Sequence, residues 1–216
     1  MVNSQKHRVL GLRAINSDAY VLRFERGNLD FEPGQYIHIG TLPGTEKREY
    51  TVYSSPREDY LEVLIRSAPS GNISQRLCQL KAGEEVSIEG PFGLFQLDST
   101  ALDSPLFFLG IGTGITPFHC FVQSYPNLNY KLIHGVCTVS ECYEYEKYDK
   151  NRLLSCISRE EGGSCHDGVS DWLRNNPIPH NAMVYLCGSS AMIYDVYEIL
   201  GEQKFDTDRI LVEVYY

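Results

Sequence analysis

The sequence predicts a two-domain chain, an antiparallel β-barrel over residues 1–98 followed by an α/β domain with a five-stranded parallel sheet over residues 104–216. Three observations carry this. Up to about residue 98, short β-rich runs alternate with turn signals. From Ser104 onward, strand patterns alternate with helix patterns, the rhythm of a parallel sheet covered on both faces. Between them, Gln96–Ser104 (QLDSTALDS) has the polar character of a linker.

In the first half the expected strands are Ala19–Phe24, Tyr36–Ile39, Glu49–Tyr53, Leu61–Arg66 and Glu85–Glu89. Pro33-Gly34, Pro43-Gly44 and Gly83 punctuate them. Leu61–Arg66 and Val86–Glu89 alternate as half-buried strands do. One helical pattern interrupts the series: Ile73, Leu77 and Leu80 recur at i, i+4 and i+7. Many short antiparallel strands with a single helix suggest a closed barrel.

In the second half the strands are expected at Leu106–Leu109, Lys131–Val136, Leu153–Ser158, Val184–Cys187 and Ile210–Val214. Helices are expected near Pro117–Ser124, Glu141–Lys147, Val169–Asn175 and Ala191–Leu200. No internal repeat is visible.

A chain of 216 residues, 43% hydrophobic and 22% charged, has an ordinary globular composition, which removes disordered and fibrous classes. The first twenty residues have no apolar core, and no apolar run reaches membrane-spanning length, so a cytoplasmic, soluble protein is expected. The net charge of −9 argues against nucleic acid and anionic membrane surfaces as partners. Residues 1–100 carry 11 basic and 13 acidic residues, and the remainder 8 and 15, so an acidic protein partner should dock on the first half. Seven scattered cysteines suit reduced thiols better than a disulfide framework. Cys137 and Cys142 have the gap that opens one type of iron–sulfur signature, but Cys156 is too distant to continue it, and no zinc spacing occurs, so no metal is expected.

Four segments carry chemistry. In Arg48-Glu-Tyr-Thr51 a strand puts Arg48 and Tyr50 on one face and Thr51 on the other. Taken alone, it reads more readily as an ordinary strand with an exposed arginine and a packed tyrosine. Gly71-Asn-Ile-Ser74 enters the one helix of the first half, where free N–H groups favour an anion; an ordinary capped helix reads the same way. In Leu109-Gly-Ile-Gly-Thr-Gly-Ile-Thr-Pro117 a buried strand runs into Gly110, Gly112 and Gly114, then into a helix with Pro117 at its favoured first position. Its G-x-G-x-G spacing is not the usual dinucleotide fingerprint. In Val184-Tyr-Leu-Cys-Gly-Ser-Ser-Ala-Met192, Cys187 ends a strand where open α/β sheets bind ligands, although an isolated buried cysteine is by default structural. The sequence closes on Glu213-Val-Tyr-Tyr216.

RxYT, then GxxS, then GTGITPF, then CGSSAM, then EVYY: in this order the segments resemble the ferredoxin–NADP reductase family, from about Phe31 onward. The resemblance implies a flavin between the barrel and a nucleotide-binding domain. Arg48 would pair with the FAD pyrophosphate, Tyr50 pack against the flavin, and the Thr51 hydroxyl reach flavin N5. Gly71, Asn72, Ile73 and Ser74 would hold the pyrophosphate from the second side, with Glu49, Ile65, Arg66 and Thr113 completing the FAD set. Gly112, Thr113 and Gly114 would line the dinucleotide path; Cys187, Gly188 and Met192 would form the motif beside the nicotinamide. Glu213 matches a carboxylate near the reaction centre, Tyr215 the aromatic covering the isoalloxazine, and Tyr216 a further aromatic of bacterial members that can contact the FAD adenine. Thr51, Cys187, Glu213 and Tyr215 are thus the expected catalytic group. Two departures bear on the coenzyme. The family's HGxR reads His134-Gly-Val-Cys137, while Ser158-Arg159 keeps the ending typical of NADP users, and the further basic residue expected near Cys165–Asp171 is missing. The expectation is FAD with NADP(H), NAD(H) being possible, and ferredoxin or flavodoxin docking on the FAD-domain side. The alternatives are a reductase feeding an oxygenase or reducing free flavin, and a non-catalytic nucleotide-binding subunit.

Overall fold

In the computed structural model, residues 4–68, 72–165 and 168–215 are described. The chain divides into two units, Met1–Gln96 with His119–Ser124, and Leu97–Phe118 with Tyr125–Tyr216.

The first unit holds six strands, β1 Gln5–Ala14, β2 Ala19–Glu25, β3 Tyr36–Thr41, β4 Arg48–Thr51, β5 Tyr60–Arg66 and β6 Glu85–Phe92. They are antiparallel in the order β4-β3-β6-β1-β2-β5. The two outermost strands meet where Val52, just past β4, bridges Val63 of β5, so the sheet curls into a barrel. Alternation then sends Leu22, Phe24, Ile37, Ile39, Leu61, Val63, Val86 and Ile88 inward, each almost fully buried. Helix α1, Asn72–Leu77, packs Ile73 and Leu77 into the same core. Each such side chain contributes about 1.5–3 kcal/mol of burial. The expected helix stops at Leu77, although Leu80 still packs against the core.

The second unit holds β7 Leu106–Ile111, β8 Tyr130–Val136, β9 Leu153–Ile157, β10 Met183–Gly188 and β11 Ile210–Val214. All pairs are parallel, in the order β11-β10-β7-β8-β9. The helices are α2 Ser99–Leu102, α3 Thr116–Ser124, α4 Val169–Asn175 and α5 Ser190–Glu202, and the second half of α3 belongs with the first unit. Leu109, Ile133, Val184 and Leu186 of the strands pack with Leu173 of α4 and Val196, Ile199 and Leu200 of α5. From β7 the chain runs outward through β8 to β9, then returns to β10 on the other side of β7. The strand order therefore reverses between β7 and β10, and open sheets bind ligands beyond the strand ends at such a point.

Three expectations are corrected. Glu141–Lys147 is not a helix but two 3₁₀ turns, Val139–Glu141 and Tyr145–Lys147, separated by Glu144 at a left-handed φ of 50°. One left-handed residue ends the i→i+4 ladder. Within the linker, Asp98 caps α2 by accepting from the Ala101 N–H at 2.8 Å. The seven cysteines are not all reduced: Cys156 of β9 and Cys165 form a disulfide, because a parallel bridge brings their Cα atoms to 4.7 Å. Among the described residues no helix is long and apolar enough to cross a membrane.

Candidate active site

On β4, Arg48 stands opposite Ile39 and Tyr50 opposite Ile37, so both lie on one face as the two-residue repeat requires. Tyr50 is half-buried against the barrel core, and burial raises its phenol to about 12, so it stays protonated. Arg48 is exposed and, among the described residues, has no carboxylate partner. Thr51 faces the other way and is buried, and the neighbouring Glu49 carboxylate lies 3.3 Å from His38 Nε2. Ile65 and Ile73 are fully committed to the barrel core, so only their backbone can meet a ligand. Arg66 Nε donates to Asp18 Oδ2 at 3.0 Å, Asn72 is exposed, and Ser74 Oγ accepts from the Ala68 N–H. Gly71 and Tyr216 lie outside the described residues.

In the second unit, sheet register gathers the expected residues. Cys187 is opposite Gly110 on one side and Glu213 on the other, and Gly188 is opposite Val214. The glycine run turns through a 3₁₀ helix, Gly112–Ile115, into α3, and Thr116 Oγ1 donates to the Thr113 carbonyl at 2.6 Å. A side chain at Gly114 would fall on the Cys187 carbonyl, and one at Gly188 would collide with Ile111 Cγ1. Glycine here lets two strand ends and a loop share one small volume. At Gly112 a Cβ would meet nothing within 4 Å, so the loop opens there. Met192 is buried, and its N–H is capped by Ser189 Oγ at 3.4 Å.

Beyond β11 the ladder continues one residue, with Tyr215 N–H donating to the Gly188 carbonyl at 2.8 Å. The Tyr215 hydroxyl bonds the Cys187 thiol. Burial, reinforced by the Glu213 carboxylate, pushes that thiol well above its ordinary range. Cys187, fully buried, is therefore a neutral thiol and not a thiolate nucleophile. Ser158 and Arg159 lie just past β9, their N–H groups donating to the Val136 and Cys137 carbonyls, each at 3.0 Å. Arg159 is exposed, with no carboxylate partner among the described residues, and Cys137 supplies no second cation beside it.

His134 was not among the expected site residues, although its motif had been read. It is fully buried on β8, with Nε2 2.7 Å from the Gly112 carbonyl and Nδ1 2.8 Å from the Tyr145 hydroxyl. Burial lowers its pKa to about 4, the Gly112 hydrogen bond opposing. The folded value lies below the unfolded 6.5, so the unfolded chain takes the proton first. The associated stability is full above pH 6.5 and is lost as pH falls toward 4, about 3 kcal/mol at 1.36 kcal/mol per unit. Urea midpoints measured from pH 7 to 4 should therefore fall more steeply in the wild type than in His134→Gln; parallel curves would remove this contribution.

In the first unit an exposed guanidinium stands beside a tyrosine, and in the second a glycine cradle lies at the reversal point of the parallel sheet; each suits a phosphate-bearing ligand. The family model for the oxidoreductase FAD-binding domain matches residues 8–97. The flavodoxin/ferredoxin–NADP reductase of Buchnera aphidicola subsp. Schizaphis graminum is 30% identical over 181 residues, covering 73% of this chain and 70% of the relative. The electron transfer component of toluate 1,2-dioxygenase from Pseudomonas putida is 25% identical over 225 residues, 96% of this chain and 66% of the relative, so the chain spans just under two thirds of that protein. A ferredoxin–NADP⁺ reductase from Neisseria gonorrhoeae, solved with FAD and NADP, superposes with a TM-score of 0.91 at 18% identity, covering all of both chains. The chain belongs to the ferredoxin–NADP reductase family.

Proposed function

We propose that this protein moves electrons between NADPH and a one-electron carrier, ferredoxin or flavodoxin, through FAD. The observation that carries the reading is the register Gly110–Cys187–Glu213 at the reversal point of the parallel sheet, with Tyr215 on the Cys187 thiol. FAD, when bound, supplies the exchange of a hydride for two single electrons. The protein's own residues hold and orient. The exposed Arg48, without a carboxylate partner among the described residues, suits a pyrophosphate, and the half-buried Tyr50 offers a flat apolar face. Thr51 would act by its hydroxyl alone, since its side chain cannot titrate. The open glycine loop lets a dinucleotide approach the backbone around Gly112 and Thr113, and the neutral Cys187 with Gly188 and Met192 forms the wall for the nicotinamide. Glu213 keeps a carboxylate one strand away from that wall.

A second reading, a reductase that feeds an oxygenase, is favoured by relatives such as the toluate dioxygenase component, which is longer than this chain. Reduction of cytochrome c by NADPH, with and without added ferredoxin, separates the two. Strong stimulation by ferredoxin supports the first reading, and none removes it. Failure of either nicotinamide coenzyme to bleach the flavin would remove both in favour of a non-catalytic subunit.

Arg159 carries the coenzyme preference in this reading. With Cys137 in place of a second arginine, preference for NADPH over NADH should be modest, and Arg159→Ala should abolish it. A phosphate hydrogen-bonded to a guanidinium contributes about 2–3 kcal/mol. An unchanged ratio of kcat/KM for the two coenzymes would place the phosphate elsewhere.

A further inference from the structure

The Gly112 carbonyl can only accept, so His134 Nε2 must carry the proton of their 2.7 Å contact. Nδ1 then presents a lone pair, and the Tyr145 hydroxyl, 2.8 Å away, donates to it. The single phenol proton is thereby committed to the imidazole. A chain of donors thus runs from Tyr145 through His134 to one carbonyl of the glycine loop, with each proton assigned by its neighbour.

The segment that supplies Tyr145 is shaped for this. Glu144 adopts a left-handed backbone, φ 50° and ψ 40°, a conformation that residues with a side chain rarely take. Its nearly buried carboxylate is tied to Lys147 at 2.9 Å. Such strain persists only where the surroundings over-determine it. Here it turns the chain so that Tyr145 reaches His134, while Tyr143, buried, lies against the same imidazole with ring centroids 6.1 Å apart. Gly112 itself sits at φ 52° and opens the 3₁₀ turn Gly112–Ile115, so its carbonyl lies where the loop leaves the strand.

We propose that His134, held in its Nε2–H tautomer by Tyr145, is a positioning residue that fixes the Gly112 carbonyl and thereby the backbone of the loop that receives the nicotinamide dinucleotide. The last clause rests on the dinucleotide reading of the loop given above. His134 touches neither coenzyme nor flavin in this scheme; it sets the orientation of the peptide that follows, whose N–H belongs to Thr113. Because that loop serves the part common to NADPH and NADH, its disturbance weakens both coenzymes equally.

Side-chain ¹⁵N NMR of the purified holoprotein reads the relay directly. His134 should be a neutral Nε2–H tautomer from pH 8 to 5, and Tyr145→Phe should mix the tautomers and speed amide exchange at Thr113 and Gly114. Calorimetric binding should weaken about threefold to tenfold for NADP⁺ and NAD⁺ alike in Tyr145→Phe and His134→Phe, the scale of one lost hydrogen bond. KM should rise with a smaller change in kcat. His134→Gln, whose amide can donate to the Gly112 carbonyl, should restore most of the affinity. A merely structural histidine would instead lower melting temperature and leave the Kd of the folded fraction unchanged. An Nδ1–H tautomer, titration near pH 6.5, or wild-type affinity in both phenylalanine variants would overturn the relay. If the wild type binds neither coenzyme, the dinucleotide reading fails, while tautomer and loop exchange still decide whether His134 anchors the loop.

Discussion

Arg48→Ala is expected to strip most of the FAD from the protein during gel filtration at micromolar concentration. Arg48 stands at the end of an edge strand, exposed, beside a tyrosine whose ring is half in the barrel core. Most other arginines of the barrel are matched to a carboxylate, Arg8 with Glu25, Arg23 with Glu62, Arg26 with Asp30 and Arg66 with Asp18. A guanidinium left unmatched next to a flat apolar face fits a ligand that brings both an anion and a ring. Losing charge-assisted hydrogen bonds to a phosphate costs about 1.5–3 kcal/mol, which weakens binding roughly tenfold to 150-fold. Arg48→Lys should recover only part, because an ammonium lacks the planar fork that engages two oxygens. The apo-protein should melt within a degree or two of wild type, since an exposed side chain without partners contributes within about 0.5 kcal/mol of stability. The measurement is FAD released on heating, identified against FMN, with Kd from flavin fluorescence. An Arg48→Ala protein retaining FAD within twofold of wild type would assign the pyrophosphate to another cation.

The barrel and the parallel sheet were legible because periodicity reports burial. Leu61–Arg66 alternates and β5 buries Leu61, Val63 and Ile65. The β10 run is apolar throughout and β8 is interrupted only by Lys131 and His134, as expected of strands covered on both faces. β1 was not legible, because it buries only His7 and Val9 and a register shift between Val9 and Gly11 breaks its alternation. Nor could local sequence show that Glu144 would turn left-handed, since that depends on Tyr143, Tyr145 and Tyr148 each finding a place in the fold. The Cys156–Cys165 bond was missed for a related reason: pairing needs Cα atoms within a few ångströms, and only the return of the chain along β9 provides that.

Site residues divide along the same line. Arg48 and Tyr50, set by alternation along one strand, could be placed from position alone, whereas Cys187 and Glu213 were linked only through the resemblance, because their adjacency depends on the order of strands in the sheet. Thr51 was likewise expected on the opposite face to Arg48, where it lies buried. His134 was passed over because a buried histidine in a strand looks like core until its two nitrogens are seen to have different partners. Glu49 and Arg66 carry the opposite lesson. Their side chains are engaged with His38 and Asp18, so any part they take in FAD binding must begin by loosening those contacts.

Tyr215→Ser should give the largest change in coenzyme behaviour. The β10–β11 ladder runs one residue past the strand, fixing the Tyr215 backbone on Gly188, and the phenol reaches the Cys187 thiol. The ring therefore lies at the wall proposed for the nicotinamide, and ring and nicotinamide compete for one surface. Stacked aromatic contacts are favourable by roughly 0.5–1.5 kcal/mol beyond area burial, so removing the competitor should tighten NADP⁺ binding about twofold to twelvefold. The bound coenzyme should add a long-wavelength absorption band where nicotinamide lies against flavin. Turnover should fall, because tighter product slows release. Discrimination against NADH should relax as well, since the nicotinamide end would contribute a larger share of the binding. Tyr215→Phe separates ring from hydroxyl: it keeps the competing surface and loses only the bond to the thiol, so its NADP⁺ affinity should stay near wild type. If Tyr215 were simply a surface aromatic on the second unit, Tyr215→Ser would leave flavin fluorescence, coenzyme affinity and kcat within error of wild type. That result would detach Tyr215 from the site and leave Cys187, Gly188 and Met192 to define the nicotinamide wall without it.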